Sequence, residues 1–202
     1  MTPTVTGELV RSGHLVRSLR LAPFAPAVAA VAAIPIARRG VTADLRTLGL
    51  LLALGSGYVL DDGAAVTLQA SPTSLARRYW LRISATAAVV TPLWVTTLGC
   101  ILPSTPASER WTLGLGLTVE LAAAIAVVLA VSAWGRRHGL DQPGIITTPA
   151  LLAALLLATS TSRAPMLVGP GPLWTPAHLR WSGILVGATC LLLAAMRDPA
   201  AR

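Results

Sequence analysis

The chain has 202 residues, of which 54% are hydrophobic and 12% charged, about half the charged share of a soluble globular domain. With a mean hydropathy of +0.68, this excludes a large soluble domain and predicts a polytopic membrane protein with room for about six helices. All 16 basic residues are Arg, so a GxxxxGK[ST] phosphate-binding loop is absent, and the net charge of +8 is spread between apolar runs rather than gathered on a soluble face as in a nucleic-acid binder.

Residues 6–20, TGELVRSGHLVRSLR, set Leu9, Val10, Leu15, Val16 and Leu19 against Arg11, Arg17 and Arg20. This predicts an amphipathic helix in the headgroup region over residues 1–20. The predicted fold is all-α, with six transmembrane helices over about 21–37, 42–60, 83–102, 111–134, 145–162 and 180–196. The first run is short and contains Pro, and a cleaved signal peptide with its cut near Ala30 to Ala33 is the alternative. A leader of roughly 20 residues carrying Glu8 and three Arg is long for a signal peptide, so the run is taken as a span. Cys100 and Cys190 fall inside apolar runs and read as small core residues rather than a disulfide or metal pair.

Cytoplasmic connections are enriched in basic residues. With the amino terminus inside, the inner segments hold ten Arg and the outer ones five, namely Arg38, Arg39, Arg46, Arg110 and Arg180. Both termini are therefore predicted to be cytoplasmic.

The connection from Leu60 to Arg82, LDDGAAVTLQASPTSLARRYWLR, is neither a turn nor a linker. Asp61 and Asp62 close a span, a short run of helical composition follows, Ser71-Pro72 imposes a break or a new helix start, and Arg77, Arg78 and Arg82 lead into the third span. The expected element is a short helix along the inner surface, acidic at one end and basic at the other, suited to a groove on a soluble partner. The bland alternative is a solvated, capped loop. Asp61-Asp62-Gly63 also opens the metal signature of the CDP-alcohol phosphatidyltransferases, but neither its Ala-Arg continuation nor its two later Asp are present, and the third span has no carboxylate to complete an oxygen-ligand site.

An acidic residue, Gly, Thr-Leu, Ser-Pro and a basic cluster before a span, here Asp62, Gly63, Thr67, Leu68, Ser71 and Pro72 followed by Arg77 and Arg78, resembles the type 2 permease subunits of ABC exporters over residues 55–85. The resemblance implies a cytoplasmic coupling helix between spans two and three, with Asp61 beside these residues at the contact. It also implies a cytoplasmic ABC ATPase subunit as partner, holding ATP and Mg that this chain does not bind, and a second permease copy or paralogue. Gln69 stands where the family often has Glu.

Glu120 lies in the middle of the fourth run, where an ionisable group must face protein or water. Arg163, near the outer end of the fifth run, is its predicted ion-pair partner. From Ser160 to Trp181 the chain is broken by Pro165, Pro170, Pro172 and Pro176 and is expected to dip into the outer face, as backbone of this kind does only where protein or a cavity covers it. In the resembled family, short re-entrant helices lie at the corresponding place. Trp174 and Trp181 fit an interfacial belt.

The expected function is that of a permease subunit of an ATP-driven exporter, without an ATPase site or enzyme activity of its own. Small uncharged residues dominate the spans, which favours a hydrophobic or amphiphilic substrate. The alternative is a membrane immunity or assembly protein that sequesters an amphiphile without ATP. The Ala-rich, Lys-free composition points to a GC-rich bacterial coding sequence.

Overall fold

In hydrocarbon each backbone N–H and C=O must be satisfied within the chain, so long apolar runs fold as helices. The computed structural model describes residues 24, 25, 27, 28, 40–61, 75–140, 142–160 and 166–197. Within them lie five long helices: α1 (Val41–Gly57), α2 (Leu75–Ile101), α3 (Ala107–Arg137), α4 (Pro143–Ser160) and α5 (Trp174–Ala195). Among the described residues there is no strand. The segments Ala76–Ser104, Ala107–Arg137 and Trp174–Ala195 are long and apolar enough to cross a membrane. With 17 and 18 residues, α1 and α4 reach roughly 25 Å at 1.5 Å per residue, somewhat under a hydrocarbon core of ~30 Å. Helix 1–20 and most of the run 21–37 lie outside the described residues, though Phe24 and Ala27 are buried against the bundle.

Short connections make successive helices α2, α3 and α4 antiparallel. The first is a 3-10 turn over Leu102–Ser104, held by Arg110, which donates to the carbonyls of Thr105 and Pro103, each at 2.9 Å. The second follows α3, where Gly139 takes φ +87°. Its N–H bonds the Arg136 carbonyl and the Leu140 N–H bonds that of Gly135, the Schellman pattern that left-handed Gly allows.

The long helix α3 is central and packs on α1, α4 and α5. At one end Leu45, Leu48 and Leu52 of α1 meet Trp94 of α2 and Leu113, Leu117 and Leu121 of α3. In the middle, Ala126 and Ala130 of α3 face Ala188 of α5, small residues that let two helices approach closely. At the other end Leu60, Tyr79, Leu129, Ala133, Ala195 and Met196 cluster. Hydroxyls within the helices are satisfied locally: Ser56, Thr86, Thr97, Thr118 and Thr189 each donate to the carbonyl four residues earlier, as intrahelical Ser and Thr do where water is absent.

Two expectations are corrected. Cys100 and Cys190 are exposed rather than core, because a membrane helix is apolar on its outer face as well and apolar neighbours do not distinguish the two sides. Trp174 and Trp181 are buried, each 6% exposed, because the segment 166–173 folds over them and the Met166 carbonyl accepts a 2.9 Å hydrogen bond from the Trp181 indole. Trp80, Trp111 and Trp134 are the exposed tryptophans, near helix ends where a belt would lie.

Candidate functional site

Two polar centres lie at opposite ends of the bundle. At the end holding Arg77, Arg78, Arg82, Arg136 and Arg137, Asp61 follows α1 and is 3% exposed. Its Oδ1 accepts from the Gly144 N–H of α4 at 2.8 Å, so one helix's exit caps another helix's first turn, where a carboxylate also complements the helix dipole. Arg82 of α2, itself buried, donates to the carbonyls of Val59 at 3.3 Å and Asp61 at 3.4 Å. Ser132 and Thr147 hydrogen-bond between α3 and α4 at 3.0 Å. Asp61 thus faces into the bundle, and its observed work is to tie α1 to α4. Arg77 is exposed and Arg78 half-buried in the first turns of α2. Asp62, Gly63, Thr67, Leu68, Ser71 and Pro72 lie outside the described residues.

Asp61→Ala removes the cap on α4 and leaves the Gly144 N–H buried without its acceptor. It is expected to lower stability in detergent by about 0.5–2 kcal/mol, read as a shift in an SDS-unfolding titration. Asp61→Asn, which keeps an acceptor oxygen, recovers part of that loss.

At the opposite end, Glu120 is 7% exposed and meets α1 and α5 at once. Arg46 donates from Nε to Glu120 Oε2 at 2.8 Å and from Nη2 to Oε1 at 2.6 Å, the two-pronged geometry that makes Arg–carboxylate pairs strong. Arg46 Nη2 also donates to the Val168 carbonyl at 2.7 Å, which fixes the irregular segment over the pair. On α5, His178 Nε2 lies 3.1 Å from Glu120 Oε1, and its Nδ1 lies 2.8 Å from the Trp174 carbonyl one turn earlier. The Trp174 and His178 rings are in contact, 4.0 Å between centroids and tilted by 35°. Gly116 of α3 makes the space: a Cβ there would come 2.7 Å from His178 Nε2.

Beside this triad is a cavity of about 210 Å³, with Leu50, Leu117, Leu152, Leu167, Trp94 and Trp181 in its wall and Arg46 and Glu120 as its charged groups. Trp94 is held in place by a 3.0 Å hydrogen bond to Thr118. At ~30 Å³ per water the volume equals roughly seven waters, and the largely apolar wall suits a hydrocarbon chain or ring better than a sugar or a hydrated ion.

Glu120, expected to face protein or water, is buried in the bundle. Its partners are Arg46 and His178, and Arg163 lies outside the described residues. Arg46 reads from sequence as a charge of the first outer connection; the structure places it in the second turn of α1, in an ion pair. His178 is the site residue that sequence reasoning missed. The signal available was its place among Trp174, Ala177 and Trp181, a helical face of buried residues. Among the described residues no cluster of His, Cys, Asp and Glu is arranged to hold a metal. Compared with known proteins, the chain matches no family model, no curated protein and no solved structure.

Proposed function

We propose that the chain is the permease subunit of an ATP-driven exporter of the type 2 ABC class, moving a hydrophobic or amphiphilic substrate. In this reading it has six spans, the run 21–37 being the first, with an amphipathic helix ahead of it. Both termini are cytoplasmic, and a coupling helix within residues 62–76 receives an ATPase subunit that carries ATP and Mg. A second permease copy or paralogue completes the channel.

The observation that carries the reading is the anchoring of the two points between which residues 62–74 run. Upstream, Asp61 is bonded to α4 and its carbonyl to Arg82 of α2. Downstream, Tyr79 in the first turns of α2 is buried and hydrogen-bonded with Arg136 of α3. A push on this segment by a soluble partner would reach four helices through short polar contacts rather than dissipate in a loop. The cavity by Glu120, at the far end of the same helices, is where such a push would change access to a substrate. Counted by segment along the sequence, the five outer Arg stand against ten inner ones, in keeping with cytoplasmic termini.

The test is purification of the tagged full-length chain from its native membrane in mild detergent, with mass spectrometry of stoichiometric companions. An ATPase is expected to co-purify with the unaltered chain and to be lost about tenfold or more from Asp62→Ala and Pro72→Ala variants, the equivalent of about 1.4 kcal/mol in binding, with yield and melting temperature preserved. A preparation without ATPase, or one that keeps it in both variants, overturns the exporter reading and leaves sequestration of an amphiphile without ATP.

A further inference from the structure

We propose that α1 and α4 form a side entrance from the bilayer, through which the alkyl chain of a membrane-dissolved amphiphile enters the cavity beside Glu120 while its polar head stays outside.

The shape of the entrance follows from where the two helices touch. At one end they meet so closely that a Cβ on Gly144 would come 2.6 Å from the Gly57 carbonyl oxygen. The Asp61 cap on Gly144 and the Ser132–Thr147 bond hold the structure together at the same place. One turn further along, the contact is a long hydrogen bond of 3.4 Å from the Thr148 hydroxyl to the Leu54 carbonyl. One turn beyond that, Leu50 and Leu152 stand on the walls of the cavity. Two helices pinned at one end and parted towards the other enclose a wedge.

Exposure distinguishes the back of the wedge from its mouth. Trp94, Leu117, Leu121 and Trp181 line the cavity and are buried, whereas Thr47 of α1 and Leu152 of α4 line it and are exposed. The cavity therefore opens between α1 and α4. Towards the helix ends on that side, Arg46 is bonded to the Val168 carbonyl at 2.7 Å and Leu167 forms part of the wall, so the segment 166–173 covers the cavity from above.

Depth decides what can reach the mouth. Counted from those helix ends, Leu50 lies nine residues in from Val41 and Leu152 eight in from Ser160, roughly 12–14 Å deep at 1.5 Å per residue. A headgroup region is about 5–8 Å thick on each face of a bilayer. In a membrane the mouth opens into hydrocarbon, and a molecule must already be dissolved there to find it.

Size and lining decide what fits. The charged groups of the wall are engaged with one another, Arg46 donating to both Glu120 oxygens, and most of the remaining wall is Leu and Trp. An apolar cavity of ~150 Å³ stays dry and holds benzene, so one of about 210 Å³ admits a stretch of about eight carbons and excludes a whole lipid. An unbranched chain meets that measure, because its end can reach the back wall while its head remains at headgroup level. The chain leaves one hydrocarbon for another, so hydrophobic transfer contributes little; the gain is the dispersion contact that an unfilled wedge forfeits. The inference rests on the exporter reading only in taking the occupant for the substrate.

The experiment uses the full chain in phosphatidylcholine vesicles doped with one of two photoreactive phosphatidylcholines, carrying a diazirine either in mid-chain or on the headgroup. Adducts formed on irradiation are mapped by mass spectrometry. The chain probe is expected to label Trp94, Leu117 or Leu121 several-fold more than Leu48 and Leu52, which are fully buried in the same bundle but do not line the cavity. The headgroup probe should leave all five unlabelled. Leu152→Trp, which narrows the mouth from α4, should remove the cavity adducts and spare those on Leu179 and Val186, exposed on α5. Should that variant not fold, the comparison within the unaltered chain decides the matter. Adducts confined to exposed residues, equal labelling of Leu48 and Leu52, cavity adducts from the headgroup probe, or cavity adducts that survive Leu152→Trp overturn the proposal. Labelling is read on the chain alone, so absence of an ATPase in the capture experiment does not decide it, and absence of cavity adducts leaves docking through residues 62–76 standing.

Discussion

Glu120→Ala is expected to destabilise the protein by about 3–5 kcal/mol, because removing one member of a buried ion pair strands the other charge without compensation. Arg46 loses the acceptor of two hydrogen bonds, and His178 loses the carboxylate that lies 3.1 Å from its Nε2. The Arg46 contact with the Val168 carbonyl would then be the side chain's remaining named bond, and the segment over the cavity would loosen with it. Glu120→Gln keeps an oxygen for Arg46 and the side chain's size, so its loss should be smaller. The double variant Arg46→Leu/Glu120→Leu, which removes both charges and fills the space with hydrocarbon, should recover much of the stability. The measurement is SDS or thermal unfolding in detergent. A double variant as unstable as Glu120→Ala would show that the pair is not the source of the loss.

Gly144→Val is expected to cost about 1–3 kcal/mol or more, the range for overpacking a close contact. A Cβ at Gly144 would sit 2.6 Å from the Gly57 carbonyl oxygen and 2.7 Å from Asp61 Oδ2. The first of these is backbone and cannot swing away. The first turn of α4 would be pushed off the last turn of α1, stretching the Asp61 cap and the Ser132–Thr147 contact. Gly183→Ala and Gly187→Ala are the controls: nothing lies within 4 Å of a Cβ at either position, and both should unfold like the unaltered chain. The expectation fails if Gly144→Val unfolds with the controls.

The helices were legible from hydrophobicity because the five apolar runs from residue 42 onward each map onto one described helix, yet their ends were not. The third run was read as 83–102, whereas α2 begins at Leu75, and the fourth as 111–134, whereas α3 runs Ala107–Arg137. A helix continues as long as its backbone bonds are satisfied, and Arg side chains reach water or headgroups from within it. Glu120 stood out because a lone carboxylate in an apolar run demands a partner. Its partner did not, because Arg46 sits near the start of α1, where a charge is indistinguishable in sequence from one in the preceding connection. His178 is moderately polar and lies between two buried Trp, so no composition rule singled it out. The close approach of Gly57 and Gly144 depends on α1 lying against α4, helices separated by two others along the chain, and spacing within either run carries no trace of it.

The distance along the chain between Arg46 and Glu120, 74 residues, also sets a clock. At synthesis rates of about 5–20 residues per second, α1 emerges roughly 4–15 s before the carboxylate that neutralises its Arg, and the His178 of α5 follows later still. During that interval in a bilayer Arg46 can keep its charge hydrated only by reaching the interface from the first turns of α1. The ion pair can therefore form only after α3 is made, and the Val168 carbonyl that bonds the same guanidinium can join it only later still, so the order of synthesis is also the order in which these contacts become available.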